Sequence, residues 1–250
     1  MRSSNLWQGV VGYWSATAGP TGYRLLDRSG RGNHGTLTNM DAATDWVVDG
    51  GRYALDFDGS NDYAFNETIG FPNAGTQLTA SLWIKWNATQ ADFRIPFGIG
   101  ADVQGGNRGY FIWRSNSGFV RSEFGSSTGS ALSATTTANN VWVNVVGRYD
   151  GATNKLFLDG VEVASVNYNS ANFDQLSRFS LGGIFSIGAY QYFTNCRIAE
   201  CVLWSRPLSF GEIRQLYQIG RGGMLTPRRR RRAYSVATGL RRRLLLTGQV

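Results

Sequence analysis

The sequence predicts an all-β protein, and three observations carry that prediction. From Val141 to Ser165 the chain reads VWVNVVGRYDGATNKLFLDGVEVAS, in which Val141, Val143, Val145 and Tyr149 alternate with Trp142, Asn144, Val146 and Arg148. Period-two alternation of this kind marks a strand with two unlike faces. The pattern stops at Asp150-Gly151, resumes at Lys155-Leu156-Phe157-Leu158, turns on Asp159-Gly160 and resumes at Val161-Glu162-Val163. Asp-Gly is a strong hairpin signal because glycine takes positive φ without a Cβ clash, so the stretch predicts a three-strand antiparallel meander. The second observation is Leu78 to Trp86, where Leu78, Ala80, Leu82 and Ile84 alternate with Thr79, Ser81, Trp83 and Lys85. The third is composition: 32 glycines and 13% aromatic residues, with few runs of helix formers, suit short strands joined by tight turns. At 250 residues the chain can bury a large core, and all-β sandwiches of about 200 to 250 residues form single domains.

Taken in order, Leu6 to Trp14 reads as a first strand. Residues 15 to 35 are rich in turn formers, and residues 36 to 63 hold short strands broken at Gly50-Gly51 and Gly59. After Leu78 to Trp86, strands are expected over Phe93 to Ile99, Tyr110 to Arg114 and Phe119 to Phe124. Ser126 to Asn140 is small and polar, a loop or a plain edge strand. Phe179 to Ile187 and Cys196 to Trp204 are expected to close the structure. One short helix is predicted: Ser209-Phe210-Gly211-Glu212 fits a capping box, Ile213, Leu216 and Tyr217 follow at helical spacing, and Gly220 can terminate it. No internal repeat is visible.

The net charge of +8 is unevenly placed. Residues 220 to 250 contain nine arginines (Arg221, Arg228 to Arg232 and Arg241 to Arg243) and no acidic residue, so the preceding 219 residues carry about −1. Cys196 and Cys201 lie five residues apart in one expected strand, about 16 Å and on opposite faces, too far for a disulfide. They are expected to be free thiols. The N-terminal residues lack an apolar stretch of signal-peptide length, and no run of apolar residues is long enough to span a membrane.

Several blocks share a family resemblance. Trp142, Val145, Gly147, Tyr149-Asp150-Gly151 and Leu156-Phe157-Leu158-Asp159-Gly160 form one of them. Gly12-Tyr13-Trp14 precedes Asp27-Arg28-Ser29-Gly30-Arg31-Gly32-Asn33-His34-Gly35, followed by Ala54-Leu55-Asp56-Phe57-Asp58-Gly59-Ser60-Asn61-Asp62-Tyr63, Ala80 to Ile84, and Ile198 to Trp204 with Arg206-Pro207-Leu208-Ser209. In this order, over about residues 9 to 219, the chain resembles the laminin G-like, concanavalin A-like jelly-roll domains. The resemblance implies a two-sheet antiparallel jelly-roll sandwich with one short C-terminal helix, residues 1 to 219, followed by a basic tail, residues 220 to 250. It implies no particular activity, since one sandwich hosts lectins, hydrolases and structural modules.

The glucanases of that family need two carboxylates about 5 to 9 Å apart, as in E-x-D-x-x-E. None of the five glutamates (Glu67, Glu123, Glu162, Glu200, Glu212) begins such a set, so no enzyme is expected. His34 is the only histidine; a Ser/His/Asp triad would have to include it, and its expected role is to fix the N-H-G loop. The resemblance also implies a structural calcium, for which Asp27, Asn33 and Asp58 could supply oxygens. Ala199 stands where relatives have Asp and removes one ligand. The competing reading is that Asp27, Asp56 and Asp58 cap turns through nearby backbone amides. For a sugar-stacking platform the sequence offers Trp83, Trp86, Tyr110 and Trp113, and the loops Asp102 to Arg108 and Tyr190 to Asn195 are alternative positions.

Residues 220 to 227 read as a linker to a docking arm made of Arg228, Arg229, Arg230, Arg231, Arg232, Arg241, Arg242 and Arg243. By analogy the chain is similar to phage-encoded virion surface components. The expected function is a non-enzymatic decoration protein at the virion surface, fastened by its arm to other virion or capsid proteins, homo-oligomeric in the assembly and binding host-surface glycans. The alternative is a stand-alone bacterial lectin-like module, cytoplasmic or exported without an ordinary signal. Nucleic acid is a less favoured partner because the domain itself is neutral.

Overall fold

The structure is a computed structural model that describes residues 6–71, 77–87, 93–100, 109–124, 131–168, 177–186 and 188–222, with residues 131–135 as backbone only. Within these residues the chain builds two antiparallel sheets that face each other across one large core. The first sheet contains β1 (Val10–Ser15), β4 (Trp46–Asp49), β5 (Arg52–Asp58), β7 (Leu78–Trp86), β12 (Trp142–Tyr149), β13 (Thr153–Leu158), β14 (Val161–Asn167) and β18 (Asn195–Trp204). Its order is β14-β13-β12-β7-β18-β5-β4, with β1 also on β18. The second sheet contains β2 (Arg24–Leu25), β3 (Gly35–Thr38), β6 (Tyr63–Asn66), β8 (Arg94–Gly100), β9 (Gly109–Arg114), β10 (Phe119–Phe124), β11 (Ala131–Thr136) and β15 (Phe179–Leu181), in the order β11-β10-β9-β8-β15-β6-β3-β2. A two-stranded hairpin, β16 (Ile184–Ser186) and β17 (Ala189–Gln191), and one helix, α1 (Phe210–Gly220), complete the fold.

The predicted meander is β12, β13 and β14, with Val145 opposite Leu158 and Leu156 opposite Ala164. Asp159 turns with φ 50° and Gly160 with φ 79°, the positive pair a tight hairpin needs. The inward residues of β7 and β12, Leu82 and Val145 among them, meet Ile112 and Phe124 from the opposite sheet. Trp14 stacks on Phe179 at 3.7 Å and 10°, joining β1 of one sheet to β15 of the other.

β7 departs from the half-exposed strand its alternation suggests, because all nine residues are buried. The reason is the helix. Trp83 of β7 packs on Tyr217 of α1, and beside it Val146, Phe157, Val202 and Trp204 of the neighbouring strands are covered by Ile213 and Leu216 of α1, with Leu6 from the N-terminal segment. The capping box forms as expected: Ser209 accepts from the Glu212 N–H, and Glu212 accepts from the Ser209 N–H at 2.8 Å. Gly220, however, is the last helical residue and not a left-handed terminator, since Arg221 continues with φ −55°. A Cβ on Gly220 would lie 2.1 Å from the indole nitrogen of Trp83, so close packing explains the glycine.

The two cysteines are free, but they do not face opposite ways. Both point into the main core. The register of β18 against β7 shifts between Ile198 and Glu200, a bulge that inserts Ala199 and restores the inward phase at Cys201. Phe179 to Ile187 is likewise not one strand. The chain leaves the sheet at Gly182, φ 78°, and turns back as the β16–β17 hairpin over the outer face of the second sheet. Ser126 to Asn140 supplies β11, an edge strand.

Candidate functional site

The four aromatic residues expected to form a platform are buried: Trp83 3%, Trp86 0%, Tyr110 0% and Trp113 7% exposed. Trp83 lies beneath the Arg52 guanidinium, 3.8 Å from its ring centre, and against Tyr217 of α1. Trp86 belongs to the core between the sheets, with Arg114 at 5.2 Å. Tyr110 lies in the same core, its hydroxyl 3.4 Å from Asn154 Oδ1, and burial pushes that hydroxyl well above the ordinary phenol range. Trp113 faces out from β9 but is covered by Phe93 and Arg121 and donates its indole N–H to Glu123 Oε2 at 2.5 Å. Alternation identified the strands, but it carries no information about what lies across an outer face.

The calcium expectation meets a loop built around a different partner. Asp27 Oδ1 accepts the backbone N–H of Tyr13 and of Ser29, at 2.9 and 2.8 Å, while Oδ2 accepts the Ser29 hydroxyl and the Asn33 N–H, at 2.8 and 2.9 Å. Asn33 Nδ2 donates to Val11 O and His34 Nδ1 accepts the Asp27 N–H, so the histidine does fix this loop. Donors already surround the carboxylate, leaving no face of it for a cation. Asp58 caps its own turn by accepting from Ser60 and Asn61. Asp56 does not cap a turn; it pairs with Arg197 at 2.8 Å. The described residues contain no group of three His, Cys, Asp or Glu side chains arranged for a metal.

What the fold does assemble is an aromatic surface on the outside of the second sheet. Tyr63 and Phe65 alternate with buried Ala64 on β6 and point outward. The β16–β17 hairpin brings Tyr190 over them, stacked on Tyr63 at 4.1 Å and tilted to Phe65 at 5.3 Å. Phe193 and Phe185 complete the cluster. All five rings are half-buried. Two glycines permit the arrangement. A Cβ on Gly182 would approach Phe57 to 2.4 Å, and one on Gly98 would approach Ile184 of the hairpin to 2.3 Å.

This surface has a polar border. Tyr190 donates its hydroxyl to Glu67 Oε1 at 3.1 Å, and Glu67 pairs with Arg178, whose guanidinium covers Phe185 at 3.7 Å. Burial, then the Glu67 charge, raises the Tyr190 hydroxyl far above its usual range, so it remains a donor. On the other side Thr36 and Thr38 lie opposite Phe65 and Tyr63, and Arg24 lies opposite Thr36. Ring faces beside hydroxyl, guanidinium and carboxylate groups are the combination that holds a sugar, whose C–H face is apolar and whose rim is polar. Tyr190 and Phe193 fall in one of the two alternative loops named from the sequence; Tyr63 and Phe65 were missed. Their signal was Tyr63-Ala64-Phe65-Asn66, an alternation with aromatic residues on its outward face.

A second concavity of about 260 Å³ lies at one end of the sandwich, between the β11–β12 connection and the β13–β14 turn, lined by Val141, Trp142, Val143, Leu158 and Asp159 together with residues 136–138. The loop Asp102 to Arg108 and the arginines from Arg228 onward lie outside the described residues. No helix among the described residues is long and apolar enough to cross a membrane.

Residues 57–214 match the family model of the concanavalin A-like lectin/glucanases superfamily. No curated protein matches the sequence closely enough to count as a relative. Among solved structures, the sialidase of Trypanosoma rangeli in complex with sialic acid is similar at a TM-score of 0.63 and 17% identity, over 85% of this chain and 33% of that one. Domain 4 of AbnA, a GH43 extracellular arabinanase from Geobacillus stearothermophilus, in complex with arabinotriose, is similar at 0.61 and 16% identity, over 84% of this chain and 98% of that one. The chain thus spans about a third of the sialidase and almost the whole of the arabinanase domain. At such identities the likeness concerns the fold, and it agrees with the family match, which covers more than half of the sequence: the chain belongs to the concanavalin A-like lectin/glucanases superfamily.

Proposed function

We propose that this protein is a non-enzymatic glycan-binding sandwich that holds sugar on the surface formed by Tyr63, Phe65, Tyr190 and Phe193. The observation that carries the reading is the half-exposed Tyr63–Tyr190 stack set between the Glu67–Arg178 pair and the Thr36–Thr38 strip. The reading is supported by the structural neighbours, a sialidase in complex with sialic acid and an arabinanase domain in complex with arabinotriose. The sequence has no paired-carboxylate motif of the glucanase kind, which favours binding over hydrolysis.

A glycan array probed with the full chain is the test. Binding should fall at least about tenfold in Tyr190→Ala and Tyr63→Ala, the loss of about 1.4 kcal/mol or more of stacking. Tyr23→Ala, at a ring 78% exposed and outside the cluster, should leave it unchanged. Hits that persist in both cluster variants, or an array with none, would refute the assignment, and release of reducing sugar from a bound glycan would refute the non-enzymatic part.

The arm supports a further layer of the same reading, attachment to a larger assembly such as a virion shell. Its support is the segregation of nine arginines into residues 220 to 250 behind a nearly neutral domain. Truncation after Gly222 should abolish incorporation into particles while circular dichroism shows the sandwich still folded; unchanged incorporation would remove the anchoring role.

A further inference from the structure

The concavity at Trp142 is separate from the aromatic surface and has its own chemistry. Val141, Val143 and Leu158 give it aliphatic surface, Thr136 and Thr137 add polar surface, the Trp142 indole forms another wall, and Asp159 is its one charged side chain. Trp142 is held in place by its N–H donating to Asp49 O at 3.2 Å. Asp159 Oδ1 accepts the Asn144 N–H at 2.8 Å, which positions the carboxylate and leaves Oδ2 for a ligand. Arg52 lies 5.6 Å from the Trp142 ring centre and interacts electrostatically with both Glu200 and Asp159, but it is buried and does not line the hollow, where Asp159 is the one charged side chain. Aliphatic surface, an indole and a single carboxylate suit a cation on an aliphatic stem, such as an arginine side chain.

The source of such a side chain is close. Arg52 Nη2 donates to Gly220 O at 2.8 Å while its guanidinium sits between Trp83 and Trp142. One guanidinium therefore separates the wall of the hollow from the last residue of α1, where the arginine-rich segment leaves the domain. Tyr217 also packs on Gly160, 3.1 Å from a Cβ placed there, next to Asp159. Arg228 follows Gly222 by six residues, a reach of about 20 Å when extended. At that tether length a weak site is filled because the effective concentration is on the order of millimolar. Val141 of the lining is 54% exposed and Val161, paired with Leu158, 63%, apolar surface that a docked segment would cover.

We propose that the Trp142–Asp159 hollow receives an arginine of the chain's own Arg228–Arg232 run, docking the arm back on the domain. Held this way, the arm is withheld from other acidic surfaces until one competes for it.

The test uses the full chain with the photo-cross-linking residue p-benzoylphenylalanine in place of Val141, irradiated and digested with chymotrypsin for mass spectrometry. Cross-links are expected to residues 226 to 234 of the same molecule, running as monomer on a denaturing gel. Their yield should drop at least about threefold in Asp159→Asn and in about 0.5 M salt, where exposed charges are screened. Asn keeps the acceptor for Asn144 and tolerates φ 50°, so the variant should melt with the parent. Cross-links to other segments, a covalent dimer formed through a second copy's arm, or a yield indifferent to both the substitution and salt would each overturn the proposal. Glycan binding at Tyr190 is a separate measurement, and neither result decides the other.

Discussion

Asp62 shows how much one side chain's behaviour depends on distant partners. It is buried, its Oδ2 accepts the Asp58 N–H at 3.0 Å, and its electrostatic neighbours are Asp58, Asp45 and Asp56. Burial, with the three like charges, raises its carboxyl to about 6. The folded state therefore keeps the proton more tightly than the unfolded chain, whose value is 3.8. That contribution to stability is complete below 3.8 and is lost as pH rises through about 6. Asp62→Asn keeps an acceptor for the Asp58 N–H and cannot ionise. Its melting temperature relative to the parent should climb between pH 4 and 7, as read by scanning fluorimetry across buffers; a gap of equal size at both ends would contradict the account. Asp58 could be read as a turn cap from Asp-Gly-Ser alone, because its partners Ser60 and Asn61 lie within three residues, and the Ser29 part of Asp27's role from Asp-x-Ser, whereas its bond from the Tyr13 N–H could not. The state of Asp62 could not, since Asp45 and Asp56 reach it from other segments.

Helix α1 illustrates the element scale. Its start is local chemistry: Ser209 and Glu212 cap each other, and Glu212 also pairs with Arg206 at 2.7 Å. Hydrogen bonds from Arg206, ahead of those from Ser209, hold the Glu212 carboxyl at about 2 despite its burial. Here the sign is reversed. The contribution is present above the unfolded value of 4.5 and fades as pH falls towards 2. Glu212→Ala should cost about 2 kcal/mol at pH 7, a fall of roughly 4 to 8 °C for a domain of this size, and the difference should nearly vanish at pH 2 in urea titrations. A pH-independent loss would mean that packing and not the capping charge is responsible. The capping box was legible because it occupies four consecutive residues. The reason for Gly220 was not, because it is the indole of Trp83 on another element. The bulge at Ala199 was equally hidden: a one-residue phase change in β18 depends on its pairing with β7.

At the scale of the whole molecule, both sheets carry covers on their outer faces, α1 on the first and the β16–β17 hairpin on the second. The hairpin is pinned through Ile184, buried against Ile95, Phe111 and Trp113. Ile184→Ala should cost about 2 to 4 kcal/mol and, in hydrogen exchange, release residues 184–186 and 188–191 before the sandwich opens; glycan binding should fall with them. Uniform loss of protection across both sheets would show instead that the hairpin is part of the global unit. By itself the sequence determined the all-β class, the meander, the helix cap and the segregation of nine arginines into residues 220 to 250, because alternation, Asp-Gly turns, a capping box and charge are local properties. Only the tertiary structure decided that Trp83, Trp86, Tyr110 and Trp113 are interior and that Tyr63 and Tyr190 stand together at the surface. A strand's alternation separates its two faces, but exposure depends on whether another element, distant in the chain, packs across the outer one.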